Sequence, residues 1–532
     1  MKTEIIAGQM MLVGFGGTTA QVICDAIQKH HFGNIILFKR NIQNAEQLRT
    51  LCQKIWDACL QHNGIAPLIA IDQEGGSVRR IFEGVTDVPG QMAIASASIE
   101  NKKASKQVAH IVARQLKELG IGLNLAPVVD VNTNPYNPVI GVRSYGDDPK
   151  RVSRLAQEFV KEHQKQGVAA CYKHFCGHGS VQVDSHIGVP VVDKSLSQLS
   201  ECELVPYMDM QKSGSAPAAV MTAHILYPQI DKDNIATLSQ AILGGILRDK
   251  LQYNGLVLTD CFEMEGLSKT LRIEDAAVQS LQSGADIITV SHTLDRQIAV
   301  HNALCEAIES QKIKKSVLDA IQTRIGDTKA KFLGKQMGTK RLKPADFDKS
   351  ERMANRLSRG SICVQGEMGD LTEAVVIGVK NFASTIAEDR VDCIDVAQKV
   401  GEALGLDFVS VSMEEMCAVY GSAHKTSEIK TSKTEQGLQS LLQEMDTWVK
   451  DRRVILCLSN AQIDKQQQAL YDFFVQKKDT VLVSLRTPYD MLHRQKPSCH
   501  VAIFEYTHLA IRSLIEVLQS KKASGTMPVV LS

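Results

Sequence analysis

Eight short apolar runs, spaced through the first two thirds of the chain, constrain the fold more than any other feature. They are Met11 to Phe15, Asn34 to Phe38, Leu68 to Asp72, Gly122 to Ala126, Val168 to Tyr172, Ala219 to Thr222, Leu256 to Thr259 and Asp286 to Val290. Helix-like segments lie between them, such as Arg151 to Gln166, where Val152, Leu155, Phe159 and Val160 share a face, and Lys194 to Lys212. Strands alternating with helices indicate parallel pairing. Eight repeats predict a (β/α)8 barrel closing near residue 335, with an open doubly wound sheet as the alternative.

The polar residues favour the barrel. Asp72 ends the third run, Lys173 and His174 follow the fifth, His224 follows the sixth and Asp260 follows the seventh. Barrel enzymes assemble their sites from carboxyl-terminal strand ends, so these unconnected segments would meet at one mouth. Beyond the barrel, the polar stretch 337–356, with Pro344, reads as a linker running into a helix. Apolar runs then recur at Ala374 to Val379, Phe408 to Val411, Val454 to Leu458, Val481 to Leu485 and Val501 to Phe504, with amphipathic stretches such as Asp464 to Val475 between them. The expected division is a catalytic (β/α)8 TIM-type barrel over 1–340, a linker and connecting helix over 341–360, and a smaller αβα sandwich over 361–532.

Composition narrows the function. A net charge of +1 and no long Lys/Arg run leave no electrostatic footprint for nucleic acid. No window approaches the roughly 20 apolar residues of a membrane span, and the amino terminus lacks the continuous apolar stretch of a signal peptide. The thirteen scattered cysteines, without framework spacing, fit a reducing compartment, so a cytoplasmic location is expected. With no G-x-G-x-x-G turn, no dinucleotide cofactor is expected.

Chemistry concentrates in Lys173 to His186, KHFCGHGSVQVDSH, directly after an apolar run. A carboxylate two positions from an imidazole, as in Asp184-Ser185-His186, can orient the ring and raise its proton affinity. Taken alone, the loop is open to three readings: proton transfer, metal binding, or hydrogen bonds satisfied within itself. Metal binding is the weakest, for no His-Glu-x-x-His or paired Cys-x-x-Cys accompanies it, and no metal is expected.

Five segments in order carry a resemblance. IDQEGGSVRR (71–80), NPVIGVRSYGDDP (137–149), KHFCGHGSVQVDSHIGVPVVDKS (173–195), VMTAHILYP (220–228) and GLVLTDCFEMEGL (255–267) resemble the motif series of glycoside hydrolase family 3, in its NagZ-type β-N-acetylglucosaminidase branch. The tail SLRTPYD (484–490) and SGTMPVVLS (524–532) is similar to that family's αβα carboxyl-terminal domain, so the resemblance covers nearly the whole chain.

The resemblance implies a retaining hydrolase that removes terminal β-linked N-acetylglucosamine (GlcNAc), with Asp260 as nucleophile, His186 as acid/base and Asp184 as its partner. It implies that Asp72, Arg80, Arg143, Lys173 and His174 hold the sugar. The bland readings stand beside these: Asp260 as a helix N-cap, and Lys173 and Arg143 as structural ion pairs with Asp130 or Asp72. His178 and His224 read as supports of the fold, Met264 as pocket floor, and His424 as a weak candidate from the second domain. Cys176, Ser180 and Ser77 depart from the family pattern, which usually has proline, aspartate and arginine there. The expected partner is a GlcNAc-containing glycoside from cell-wall muropeptides (peptidoglycan recycling) or chitooligosaccharides. Two alternatives accompany this reading: a phosphorylase on the same scaffold, since an imidazole acid does not repel phosphate, and a non-catalytic sugar-binding barrel.

Overall fold

The computed structural model describes all residues except 182–187, 213, 215, 265–266, 268–270, 335–340, 381–387, 389–393, 413–416, 423–424, 432–433 and 532. By contacts the chain forms two compact units. The first comprises 1–74, 78–86 and 105–351; the second comprises 75–77, 87–104 and 352–532. The units therefore interleave along the sequence, and the last crossing falls inside the helix Pro344–Ser361.

The first unit is a closed parallel barrel of β1 (Met11–Val13), β2 (Asn34–Leu37), β3 (Leu68–Ile71), β4 (Leu123–Asn124), β5 (Ala169–Phe175), β6 (Ala219–Thr222), β7 (Leu256–Cys261) and β8 (Ile287–Val290). Neighbours in sequence are neighbours in the ring, and β8 closes it by pairing Met11 with Ile288. All eight expected strands are present. Parallel barrel strands are buried on both faces, so their sequences are continuous apolar runs, and every residue of β1, β2, β3 and β8 is buried.

Local signals set the helices. Asn44 caps Ala45–Asn63 by accepting the Gln47 N–H at 2.9 Å, and Gly64, at φ +69°, ends it in the left-handed conformation that glycine adopts without strain. Asp148 caps Pro149–Lys165, with Pro149 in the first turn, where its missing N–H costs nothing. The segment expected as one helix over 194–212 is two, Leu196–Glu201 and Val205–Lys212. Pro206 has no N–H to give the Cys202 carbonyl and disfavours helical geometry at Val205, so the first helix stops and a second begins around the proline.

The amino-terminal ends of β7 and β8 are tied together by Asp286. This fully buried carboxylate takes Arg248 at 2.7 Å, Arg324 at 2.7 Å and the Val257 N–H at 2.8 Å. Conserving order at this end leaves the opposite ends free for chemistry.

The second unit is an αβα layer fold. Its sheet contains β9 (Cys363–Gly366), β10 (Val375–Val379), β11 (Asp407–Ser412), β12 (Cys417–Ser422), β13 (Lys425–Lys430), β14 (Val454–Leu458), β15 (Thr480–Ser484) and β16 (Cys499–Ala502), in the order β9-β16-β15-β14-β10-β11-β12-β13. Alternate residues of one strand serve different layers: Val376 and Ile455 pack with Val400 and Leu514 on one face, and Val375 and Leu456 with Leu442 and Phe474 on the other. Five strands match the expected runs. The antiparallel β9, β12 and β13 were not anticipated: CVQG and KTSEIK carry no sustained apolar run, and the short run Cys417 to Tyr420 in CAVYGS was passed over.

Candidate active site

The carboxyl-terminal ends of β3, β4, β5 and β7 bring the sequence candidates to the barrel mouth. Asp72, one residue past β3, accepts Lys173 Nζ at 2.8 Å and lies 3.5 Å from Arg80. Lys173 also reaches Glu74 Oε1 at 2.6 Å. Glu74 in turn holds Arg143 with two parallel bonds, Nε to Oε2 at 3.0 Å and Nη2 to Oε1 at 2.7 Å. Asp72, Arg80, Arg143 and Lys173 thus form one network, and Glu74 joins it.

Glu74 was missing from the sequence reading, which offered Asp72 or Asp130 as ion-pair partners of Arg143. The structure corrects this: the partner is Glu74. Charge counting could have found it, since three buried cations beside Asp72 alone would be an untenable excess. Burial works to raise the Glu74 pKa, but Arg143 and then Lys173 outweigh it and hold the carboxyl well below its ordinary value. Asp72 is lowered against the same burial by Lys173 and then Arg80. For Lys173, burial favours loss of the proton, and Asp72 and then Glu74 outweigh it, so the ammonium persists. Among the described residues these two carboxylates take two of its three donors, leaving one to bind a ligand hydroxyl.

His174 is held separately. Its Nδ1 donates to Asp130 Oδ2 at 2.8 Å, and Asp130 also accepts the backbone N–H groups of His174, at 3.1 Å, and His178, at 2.7 Å. A carboxylate on Nδ1 fixes the ring orientation and leaves Nε2 for another partner. Asp130, expected as an ion-pair partner of Lys173 or Arg143, is found on His174 instead.

Asp260, in β7, accepts the N–H of Cys261 at 2.7 Å and is partly exposed. The Cys171 thiol of β5 is pushed up by burial, with Lys173 opposing. His178 is pushed down to about 4 by burial and then by His174, with Asp130 and Asp260 opposing. His224 bonds Thr237 Oγ1 at 2.9 Å and the Cys261 carbonyl at 3.0 Å, so both ring nitrogens serve the scaffold beside Asp260. Met264 is buried at 8% exposure. Asp184, His186 and His424 lie outside the described residues. Among the described residues no cluster of His, Cys, Asp and Glu is arranged to hold a metal ion, and no helix is long and apolar enough to cross a membrane.

A carboxylate at one strand end of the barrel, with cations and an oriented imidazole at other strand ends of the same barrel, is an arrangement suited to a sugar. Comparisons with known proteins agree. Residues 3–327 match the glycosyl hydrolase family 3 N-terminal domain. The chain is 35% identical over 330 residues to Beta-hexosaminidase A of Pseudoalteromonas piscicida, covering 58% of this chain and 55% of that protein, so it spans about half that relative's length. It is 38% identical over 268 residues to a Beta-hexosaminidase of Neisseria meningitidis serogroup B, covering 49% of this chain and 72% of the relative. The solved family 3 β-N-acetylglucosaminidase of Paenibacillus sp. strain FPU-7 is similar over its whole length, with a TM-score of 0.87, 31% identity, and coverage of 100% of this chain and 99% of that one. With the barrel, the site at its mouth and the match over most of the catalytic unit, the chain belongs to glycosyl hydrolase family 3.

Proposed function

We propose that this protein is a retaining exo-β-N-acetylglucosaminidase that removes terminal β-linked GlcNAc. The position of Asp72, Lys173 and Asp260 at the carboxyl-terminal ends of three strands of one closed barrel carries the reading, because those ends open on one mouth and can offer a nucleophilic carboxylate and donors to the same sugar. In the first step an Asp260 oxygen forms a bond to the anomeric carbon while the bond to the leaving oxygen breaks. His186 gives that oxygen its proton, and Asp184 stabilises the resulting ring orientation and charge. In the second step water loses a proton to His186 and attacks the same carbon, releasing Asp260. Asp72, Arg80, Arg143, Lys173 and His174 hold the sugar throughout, and Glu74 and Asp130 orient three of those five. Muropeptides and chitooligosaccharides in the cytoplasm are the proposed sources of substrate.

The test is incubation of the purified chain with N,N′-diacetylchitobiose, with and without inorganic phosphate. Free GlcNAc at a phosphate-independent rate is expected, and loss of turnover in Asp260→Ala. A sugar 1-phosphate product would assign phosphorolysis instead, and full turnover by Asp260→Ala would overturn the mechanism.

A further inference from the structure

The turn that follows Glu74 is narrow and closed. The Glu74 N–H donates to the Val78 carbonyl at 3.0 Å, and Gln73 Oε1 accepts the N–H groups of Arg80 and Ile81 at 2.9 and 3.3 Å. Gly75 and Gly76, at φ +99° and +58°, make a bend that residues with a Cβ rarely adopt. A Cβ on Gly75 would lie 2.9 Å from the Pro89 carbonyl oxygen, and one on Gly76 would lie 2.8 Å from the Gly90 Cα, so bare backbone runs against bare backbone. The Gly76 N–H donates to the Val88 carbonyl at 2.9 Å. With the turn tied at these points, the position of Gly76 sets the position of Glu74.

Glu505, which follows β16 and is 1% exposed, backs this bend. Its Oε2 accepts the Gly90 N–H at 2.6 Å and lies 2.7 Å from where a Cβ on Gly76 would stand. Its Oε1 accepts the Thr507 hydroxyl at 3.2 Å, and Thr507 Oγ1 accepts the Ala510 N–H at 3.1 Å, capping the helix His508–Ser520. A helix start therefore fixes the carboxylate from behind while its other oxygen meets the glycines. Gly76, Gly90 and Glu505 all belong to the second compact unit, whereas Glu74 and Arg80, on either side of the bend in the chain, belong to the first.

We propose that Glu505 is a positioning residue for sugar binding: it holds the Gly75-Gly76 bend so that Glu74 keeps Arg143 and Lys173 in place. The inference rests on the proposed function, in which Arg143 and Lys173 hold the sugar. Glu74 meets Arg143 at 2.7 and 3.0 Å and Lys173 at 2.6 Å, and all three distances depend on where the backbone presents the carboxylate. Hydrogen bonds weaken steeply with misplacement and misalignment, so a small displacement of the bend loosens both cations at once. Glu505 acts through backbone alone.

The experiment compares wild type, Glu505→Ala and Glu505→Gln by steady-state kinetics on N,N′-diacetylchitobiose and by calorimetric titration with GlcNAc, which reads sugar binding without turnover. In Glu505→Ala the KM for the disaccharide and the Kd for GlcNAc are both expected to rise ~3- to 10-fold, whereas Glu505→Gln, which keeps the shape and an oxygen for the Gly90 N–H, should stay within about 2-fold of wild type. A folded Glu505→Ala with wild-type KM and Kd overturns the inference. So does a loss confined to kcat in proportion to the unfolded fraction, which assigns Glu505 to stability alone, and so does a Glu505→Gln as impaired as the alanine variant. If Glu505→Ala does not fold, Glu505→Asp, whose carboxylate stops one methylene short of Gly90, carries the same expectation and the same refutation. Wild type that neither binds nor releases GlcNAc overturns the proposed function instead.

Discussion

Glu74 grips Arg143 through two parallel hydrogen bonds, at 2.7 and 3.0 Å, and both side chains are almost wholly removed from solvent. Paired, the two charges compensate each other; unpaired, each would be buried alone. Glu74→Gln is expected to destabilise the protein by about 3–5 kcal/mol, since breaking one side of a buried pair strands the other. Urea unfolding of variant and wild type checks this, and a variant within experimental error of wild type would refute it.

The same network predicts an acid limit. Asp72, Glu74 and Asp130 all have folded-state pKa values held below their ordinary values. In the unfolded chain they take up protons near pH 4, before they do so in the fold, so their contribution is complete above about pH 5 and is lost as pH falls further. Unfolding free energy measured from pH 7 to pH 3 should drop steeply below pH 4, and less steeply in Glu74→Gln.

Asp130 accepts three N–H groups with two oxygens. Asparagine offers one oxygen and would leave at least one buried donor unmatched, at a cost of about 1–3 kcal/mol. Because the His174 ring loses its anchor, Asp130→Asn is also expected to lower kcat/KM on a GlcNAc disaccharide at least ~10-fold. Steady-state kinetics on the folded variant distinguish this from simple loss of stability.

Asp286 makes the contrasting case. Asp286→Asn should cost about 3–5 kcal/mol by stranding Arg248 and Arg324, yet leave KM and kcat of the folded fraction unchanged, because the cluster lies at the strand ends opposite the site. A changed KM would show that the two ends of the barrel communicate.

Lys329 lies buried with its ammonium on Gln9 Oε1 at 2.6 Å and the Gly33 carbonyl at 3.2 Å. Burial lowers its pKa to about 7, with Cys59 opposing. The unfolded chain keeps that proton to about pH 10.4, so between 7 and 10 the unfolded state binds more protons and stability gains with rising pH from this group. Cysteines and tyrosines act the other way in that range. The readout is therefore the difference between wild type and Lys329→Met, which should shift in favour of wild type as pH rises from 7 to 10.

What was legible follows from what each element needs. Barrel strands buried on two faces must be written as apolar runs, so all eight could be read from the chain. Their carboxyl-terminal residues, polar directly after such runs, pointed to the mouth, where Asp72, Arg80, Arg143 and Lys173 share one network. The edge strands β9 and β13 need only backbone partners on one side, which the sequence does not display, and they escaped notice together with β12, which pairs between β11 and β13. Glu74 escaped for another reason: its role is defined by Arg143, 69 residues away, and pairing at that separation leaves no local pattern. The helix break at Pro206 was readable from the proline and was passed over.

The interleaving of the two units has a consequence for synthesis. The helix Gln91–Ala97 is buried throughout, yet Gly90 at its start donates to Glu505, 415 residues further along the chain, and Ser96 meets Ser361 and Thr526. At about 5–20 residues per second, a ribosome needs roughly 20–80 s to supply the last of these partners. For that interval the helix has emerged without the late partners of its own unit, which marks residues 87–104 as a stretch where a chaperone would engage and where a chain cut at residue 340 would begin to aggregate.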